Sequence, residues 1–562
     1  MSSLESDIVN CLLTDAIALR RLLLDEQEEW PKQSNNFFLP LDVSTTLRMA
    51  VVKHGLQKIC PKIPGARYSH YIDCISSRSI KLFCLLGFAS PQPNWDAFQA
   101  FIDQGITDND LPFDRIEHIS HINSPQRRSR TDYILCKKDH MNCPLNEHLS
   151  CGILATRSWD KDAISYLALR QWAVLAPVFN REEGVIKHYE FPEYTVLPFT
   201  EDNKKVAKTG GYGEVWSVCI HSAHHNLINS NQIKGARLAV KQLFSTDEEA
   251  FHNECDFMRK LTIKGHPNTM PLLATYKLKG KYHLLFPWAP ANLDEHWRSK
   301  PMPDWNHTTC LWFLKQVHGL VSALKAIHIF PHEQNEMHQS IEVDLGRLTT
   351  TTASERIKPI MDDSLNRYGR HGDLKPENVL CLEDGTLQVA DFGLGKFHRL
   401  ESRSRLNPDS IACSPTYSPP ELAVRETVSR AYDIWSLGCI FLEFITWLTG
   451  GYHALEAFRE ARKERALDRF IDDLFYTVKE DKRHISGLTA STRAAVSQQI
   501  ESLRVAQRHS QMTLDLLNVI EHSILVVNSK DRIDAEKLDA KMETMLRRGT
   551  SDTTYLLGND CL

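Results

Sequence analysis

An α+β chain in three parts is what this sequence predicts. A mostly α-helical region covers about 1–190, a small lobe built on one antiparallel sheet with a single helix covers about 191–290, and a larger, mostly helical lobe covers about 291–550. Three observations lead there. The chain has 562 residues, more than one hydrophobic core organises. From about Pro192 it breaks into short segments rich in β-branched, aromatic and leucine residues, which read as strands. After Leu293 the apolar residues return to helical spacing and keep it to the end.

The elements follow in order. Leu12, Leu13, Ile17 and the leucines from Leu19 to Leu24 recur near helical spacing. A second helix is expected from Thr45 to Cys60, stopped by Pro61, and a short one from Trp95 to Ile102, stopped by Gly105. Ser124 to Thr131 is polar and basic and reads as an exposed loop, with nuclear targeting as the rarer alternative. Strands are expected at Tyr194–Phe199, Val215–Ile220, Ala236–Leu243, Leu272–Tyr276 and Tyr282–Phe286, with a helix from about Asp247 to Leu261. A helix from Trp312 to Ile329 precedes a polar stretch, about 332–367, too long and too structureless for a compact core. That stretch reads as an insertion. The apolar run Ile434–Leu448 is broken by Glu443 and is too short to cross a bilayer, so it reads as a buried helix.

Composition narrows the function classes. The net charge is −5 and the pI near 6.6, which gives no global argument for nucleic acid or an anionic membrane as partner. The 14 cysteines are scattered and none forms a C-x-x-C pair, so reduced buried thiols are expected rather than a zinc site. The N-terminus lacks a basic start followed by an apolar core. An intracellular, cytoplasmic or nuclear, non-secreted protein without a membrane segment is the expectation.

The chemistry is concentrated in one segment. Asp373, Lys375 and Asn378 put a carboxylate, an ammonium and an amide within six residues, and Asp391-Phe392-Gly393 begins thirteen residues after Asn378. Phosphoryl transfer from Mg-ATP needs these groups. A carboxylate orients the attacking hydroxyl, a cation offsets charge on the γ-phosphate, and an amide and a second carboxylate hold the metal. Upstream, Gly210, Gly211 and Gly213 lie between two expected strands, where a missing Cβ lets backbone approach a phosphate. Lys241 ends an apolar strand segment, Ala239-Val240-Lys241, and an inward lysine there needs a counter-charge. Glu254 on the next helix is the natural partner.

In this order the motifs resemble those of the eukaryotic protein kinases of the Ser/Thr type. Gly210, Gly213 and Val215 match the second glycine, third glycine and valine of the Gly-rich loop, with Lys208 in place of the first glycine. His371-Gly372-Asp373 departs from His-Arg-Asp at its middle residue, a form also met in small-molecule phosphotransferases of the aminoglycoside type. Lys375, the complete Asp391-Phe392-Gly393, the stretch from Ser414 to Glu421, which resembles the substrate-binding loop that ends in Ala-Pro-Glu with Pro419 in place of Ala, and Asp433-Ile434-Trp435-Ser436-Leu437-Gly438 favour the protein kinases. The resemblance implies a bilobal fold, with ATP and Mg2+ as cofactors and a serine or threonine hydroxyl on a protein as acceptor. It implies Asp373 as the base-like residue, Lys375 at the γ-phosphate, Lys241 held by Glu254 at the α- and β-phosphates, and Asn378 and Asp391 as metal ligands. Phe286 would close the back of the adenine pocket. Pro287 and Ala289 would supply the hinge carbonyl and N–H, and Val215, Ala239 and Leu380 would sandwich the ring. Ser414 would bond the catalytic lysine and aspartate, Arg532 would pair with Glu421, and Asp433 would open the buried central helix.

The strings YGRHGDLKPEN, DFGLGKFH, SPTYSPPE and VSRAYDIWSLGCIFLEFITWL further resemble an expanded group of filamentous-fungal protein kinases. That likeness reaches KLFCLLGF, GITDNDLPF and WAVLAPVF of the N-terminal region. Two other readings stand beside the active enzyme. One is a pseudokinase that binds nucleotide as a scaffold, and the other gives the N-terminal helices a regulatory partner of their own.

Overall fold

A computed structural model gives the fold. It describes residues 4, 6–8, 16–29, 37–54, 65–88, 98–120, 130–137, 152–153, 159, 161–204, 208–209, 213–228, 236–329, 343–344, 369–391, 415–465, 471–481, 484 and 486–558. Compactness divides the chain into two units. The first holds 1–246, 273–287 and 339–357, and the second holds 247–272, 288–338 and 358–562.

The first unit opens with helices α1 (Ala16–Asp25), α2 (Leu41–His54), α3 (Tyr68–Arg78), α4 (Ile80–Phe88) and α5 (Phe98–Asp103). Leu19, Leu23, Leu47, Phe83, Leu85 and Phe101 meet in one core there. A hairpin, β1 (Asp114–Ser120) with β2 (Arg130–Cys136), interrupts a region read as helical. Its alternating sequence, Asp-Arg-Ile-Glu-His-Ile-Ser, suits period two rather than 3.6. Residues 121–129, most of the expected basic loop, lie outside the described residues. Helix α6 (Lys161–Arg170) follows.

The three N-terminal strings singled out in the sequence touch one another. Asp108 of GITDNDLPF receives the N–H groups of Lys81 and Leu82 at 3.1 and 2.9 Å, satisfying the open first turn of α4 within KLFCLLGF. Gln171, just before WAVLAPVF, takes the Phe113 N–H at 2.6 Å and donates to the Phe113 carbonyl at 2.9 Å.

In the sheet of the first unit, six of the strands run in the order β3 (His188–Glu190), β7, β8, β6, β5, β4 (Phe199–Asp202). Here β5 is Gly213–Ile220, β6 Ala236–Leu243, β7 Ala274–Leu278 and β8 Lys281–Pro287. β3 joins β7 in parallel, and the other pairs named are antiparallel. Two expected strands move. Tyr194–Phe199 is a strand only from Phe199, because Pro192 and Pro198 remove ladder donors on either side. Leu272–Tyr276 shifts to Ala274–Leu278, where Lys279 (φ 51°) and Gly280 (φ 72°) form a two-residue turn that sets its register against β8. One face of the sheet, with Trp216, Val218, Leu238, Val240 and Leu285, packs into a core with Phe179, Tyr189 and Tyr276.

Between β5 and β6 the chain makes a short turn, Ser222–His224, that meets the N-terminal region. His224 is 2% exposed. Its Nε2 accepts the Leu41 N–H at the start of α2 (2.9 Å), and its other ring nitrogen lies 2.9 Å from the Pro177 carbonyl. Both bonds require a neutral ring protonated on Nδ1. Burial brings its pKa down to about 4, against the pull of the Pro177 bond. Between pH 6.5 and 4 the unfolded chain therefore binds a proton that the folded chain refuses. His224 stabilises the fold fully above the unfolded value and loses that contribution as pH falls. From pH 7 to pH 5 the loss is about 2 kcal/mol. Urea unfolding of the wild type should show it, and His224→Asn should show a smaller drop over the same interval.

The second unit begins with α7 (Glu248–Lys264). Asp247 caps its start by accepting the Glu249 N–H at 3.2 Å, and Gly265 (φ 65°) ends it. Then come α8 (Leu293–Ser299), α9 (His307–His328), the small strands β9 (Val379–Cys381) and β10 (Leu387–Val389), and α10 (Pro420–Ala423). Helix α11 (Ala431–Ala461) is interrupted at Gly451, whose φ of 77° is not helical. From Tyr432 to Thr449 every side chain is buried, so it has no polar face to show to water. By length and composition it passes as long and apolar enough to cross a membrane, yet its apolar window is 94% buried within the fold. A hairpin, β11 (Tyr476–Glu480) with β12 (Leu488–Thr492), and helices α12 (Ala494–Arg504), α13 (Gln511–Val519), α14 (Ala535–Ser551) and α15 (Thr553–Leu557) complete the unit. The expected insertion at 332–367 lies outside the described residues except for 343–344.

Candidate active site

The loop leading into β9 carries the residues singled out for chemistry. Lys375 Nζ lies 2.8 Å from Asp373 Oδ2. Asn378 Nδ2 donates to the same oxygen at 3.1 Å and to the Asp373 carbonyl at 2.8 Å. One carboxylate oxygen thus has two donors on it, which fixes the rotamer and leaves Oδ1 as the oxygen these two donors do not hold. With Nδ2 committed to Asp373, the side-chain oxygen of Asn378 is the atom suited to a hard cation. Asp391, also an oxygen donor, is exposed and stands at φ 61°. A non-glycine residue there is held against a local preference, a condition common at functional sites. The donor chemistry of Asn378 and Asp391 fits Mg2+ rather than a softer metal.

Asp433, at the start of α11, holds the loop from below. Its Oδ2 accepts the His371 N–H at 2.9 Å and lies 2.9 Å from His328 Nε2, and its Oδ1 accepts the Gly372 N–H at 2.8 Å. Burial acts to raise its pKa, but the His328 hydrogen bond and the neighbouring histidines and amides outweigh it and hold the carboxyl below its ordinary value. Gly372 stands at φ 82°, a left-handed conformation that glycine adopts without strain. Its place is thus a backbone matter, since it turns two consecutive N–H groups onto one carboxylate. Gly369 is a second fixed point. A Cβ there would lie 2.4 Å from the Ile327 carbonyl.

Glu421 and Arg532 form a two-armed pair at 2.9 and 3.0 Å, both side chains fully buried. Arg532 also donates to the Ala431 and Val526 carbonyls and lies over the Trp435 ring. Leu380 sits in β9 opposite Asn292 and Gln388, and Ala289 is half-buried just beyond β8.

In the first unit, register places several of the remaining residues on one face of the sheet. Val215 stands opposite Lys241 and Lys241 opposite Leu284. Ser217 stands opposite Ala239 and Ala239 opposite Phe286. Partners directly across a ladder share a face, so Val215, Ala239, Lys241 and Phe286 lie on the face away from Trp216 and Val240. Lys241 is 8% exposed and Val215 37%. Pro287 ends β8 opposite Leu238. Gly213 has no room for a Cβ, which would come 2.3 Å from the Gln242 carbonyl. Gly210, Gly211, Phe392, Gly393 and Ser414 lie outside the described residues, as does the side chain of Glu254, whose backbone is in α7.

Sequence reading missed a second charged cluster. Glu443, fully buried in α11, accepts from Tyr417 (3.0 Å), from Arg459 (2.7 and 3.2 Å) and from Arg462 (2.8 Å). Arg459 also reaches Asp294 at 2.6 Å. Burial opposes the charge on Glu443, and the Arg462 and Arg459 guanidiniums hold its pKa below the ordinary value nonetheless. The signal was present in the sequence, because a carboxylate alone in an apolar run must have cationic partners.

A loop that pairs a carboxylate with a lysine and an amide, anchored on a buried helix, is the arrangement expected of a protein kinase domain. Residues 367–540 match the protein kinase domain family. A probable cell division protein kinase of Encephalitozoon cuniculi is 34% identical over 138 residues, 23% of this chain and 50% of the relative. Cyclin-dependent kinase-like 4 of Homo sapiens is 26% identical over 253 residues, 44% of this chain and 52% of the relative. Cyclin-dependent kinase 4 of Mus musculus is 40% identical over 73 residues, 13% and 23% respectively. The chain spans about half or less of the length of these relatives. Over the matched residues the chain is similar to the eukaryotic protein kinases.

Proposed function

We propose that this chain is an active Mg-ATP-dependent serine/threonine protein kinase, with residues 191–550 as its kinase domain. The observation that carries the proposal is the Asp373 carboxylate, held at one oxygen by Lys375 and Asn378 on a loop tied to Asp433. Asp373 orients the acceptor hydroxyl and takes its proton, and Lys375 offsets charge on the γ-phosphate. Asn378 and Asp391 hold the metal, which neutralises phosphate charge when bound. Lys241 contacts the α- and β-phosphates, and Val215, Ala239, Phe286 and Leu380 take the adenine. Serine or threonine is the acceptor because Lys375 follows the Ser/Thr pattern. Free cysteines among the described residues accord with an intracellular setting.

Labelled ATP and a generic acceptor protein test the proposal. The wild type should transfer phosphate to serine or threonine. Lys241→Met should fold normally and transfer on the order of 10²-fold more slowly. Wild-type protein that binds ATP and transfers nothing is the pseudokinase outcome.

A further inference from the structure

The loop that precedes Glu421 is clamped by a segment that plays no part in the roles assigned so far. Thr416 donates its hydroxyl to Asp473 Oδ1 at 2.6 Å, and the next residue, Tyr417, donates to Glu443 at 3.0 Å. Both anchors converge on Arg462, which is fully buried. Its Nε donates to the Asp473 carbonyl at 3.1 Å and its Nη2 to Glu443 Oε1 at 2.8 Å. The guanidinium also lies over the rings of Phe475 and Phe458, at 4.1 and 4.4 Å. Arg493 secures the same segment from the other side. It pairs with Asp472 at 2.6 Å, donates to the Arg462 carbonyl, and its own N–H bonds the Phe475 carbonyl at 3.1 Å. Phe475, fully buried, packs against Tyr417. Residues 472–475 are therefore fixed by two buried arginines before they touch the loop.

We propose that Asp473 is a positioning residue for the acceptor. Through Thr416 it holds the loop 415–421 in the form that receives the protein substrate. The inference rests on the proposed kinase activity. A hydroxyl bonded to a carboxylate whose own backbone carbonyl is held by a buried arginine has little freedom to swing. The ATP side of the reaction does not involve this contact.

The test uses the full chain and reads acceptor and nucleotide separately. Asp473→Ala and Thr416→Val should each raise the KM for an acceptor peptide on the order of tenfold and leave the KM for ATP unchanged. The double variant should be no worse than either single one, because both remove the same bond. Asp473→Asn and Thr416→Ser keep an acceptor and a hydroxyl and should restore most of the loss. Hydrogen exchange of the Ser418 N–H, bonded to the Pro415 carbonyl at 3.0 Å, gives a readout independent of activity. It should quicken in Asp473→Ala and not in Asp473→Asn. An unchanged acceptor KM in an active protein overturns the inference and leaves the kinase reading intact. A wild type without transfer overturns the kinase reading, and the substrate-positioning role with it. In that case exchange at Ser418 reports only whether Asp473 holds the loop.

Discussion

Asp373→Asn should abolish phosphate transfer while leaving ATP binding nearly unchanged. The amide keeps the shape and can still meet Lys375 and Asn378, but it cannot accept the proton of the attacking hydroxyl. A loss of roughly 10²- to 10⁴-fold in kcat is expected for a positioned acid–base group. Asp391→Asn should fail by another route, since removing the carboxylate proposed to hold the metal should weaken Mg-ATP binding as well. Calorimetric titration of Mg-ATP into both variants separates the two roles. Equal loss of nucleotide affinity in both would contradict the assignment of Asp373 to the acceptor.

Arg532→Met should strongly destabilise the second unit. It leaves Glu421 fully buried and without its two-armed partner. Removing one member of a buried pair costs about 3–5 kcal/mol, since the remaining charge has neither partner nor water. For a unit of this size the thermal midpoint should fall by about 10 °C. The double variant Arg532→Met with Glu421→Leu should regain a large part of the loss, because an apolar pair has no charge to desolvate. If the double variant is as unstable as the single one, the cost lies in the carbonyls of Ala431 and Val526 that Arg532 also serves, rather than in the pair.

The elements around the loop were legible to different degrees. The helix over Glu248–Lys264 could be read closely because its start and stop are local, an Asp247 cap and a left-handed Gly265. The strand at Ala274–Leu278 was misplaced by two residues. Its register is set by the Lys279–Gly280 turn and by β8, and Leu272 and Leu273 look no less strand-like than Ala274 to Leu278. The hairpin at Asp114–Cys136 was missed for a related reason, since its two strands are separated by residues with no strand pattern.

Asp373, Lys375 and Asn378 stood out because they share one short loop, and phosphate chemistry requires those residue types at that spacing. The sequence by itself determined this much, together with the helical and sheet character of the main parts, because each is a property of neighbours along the chain. Only the tertiary structure decided what holds them. His224 meets Leu41 across 183 residues, Asp473 meets Thr416 across 57, and Glu443 finds its two arginines beyond the break at Gly451. Burial of a charge or a ring nitrogen demands a partner, and a sequence can announce that demand, as Glu443 does in its apolar run. Which residue answers it depends on where the fold brings distant segments together, and there the energetic cost of a bare buried charge makes the choice.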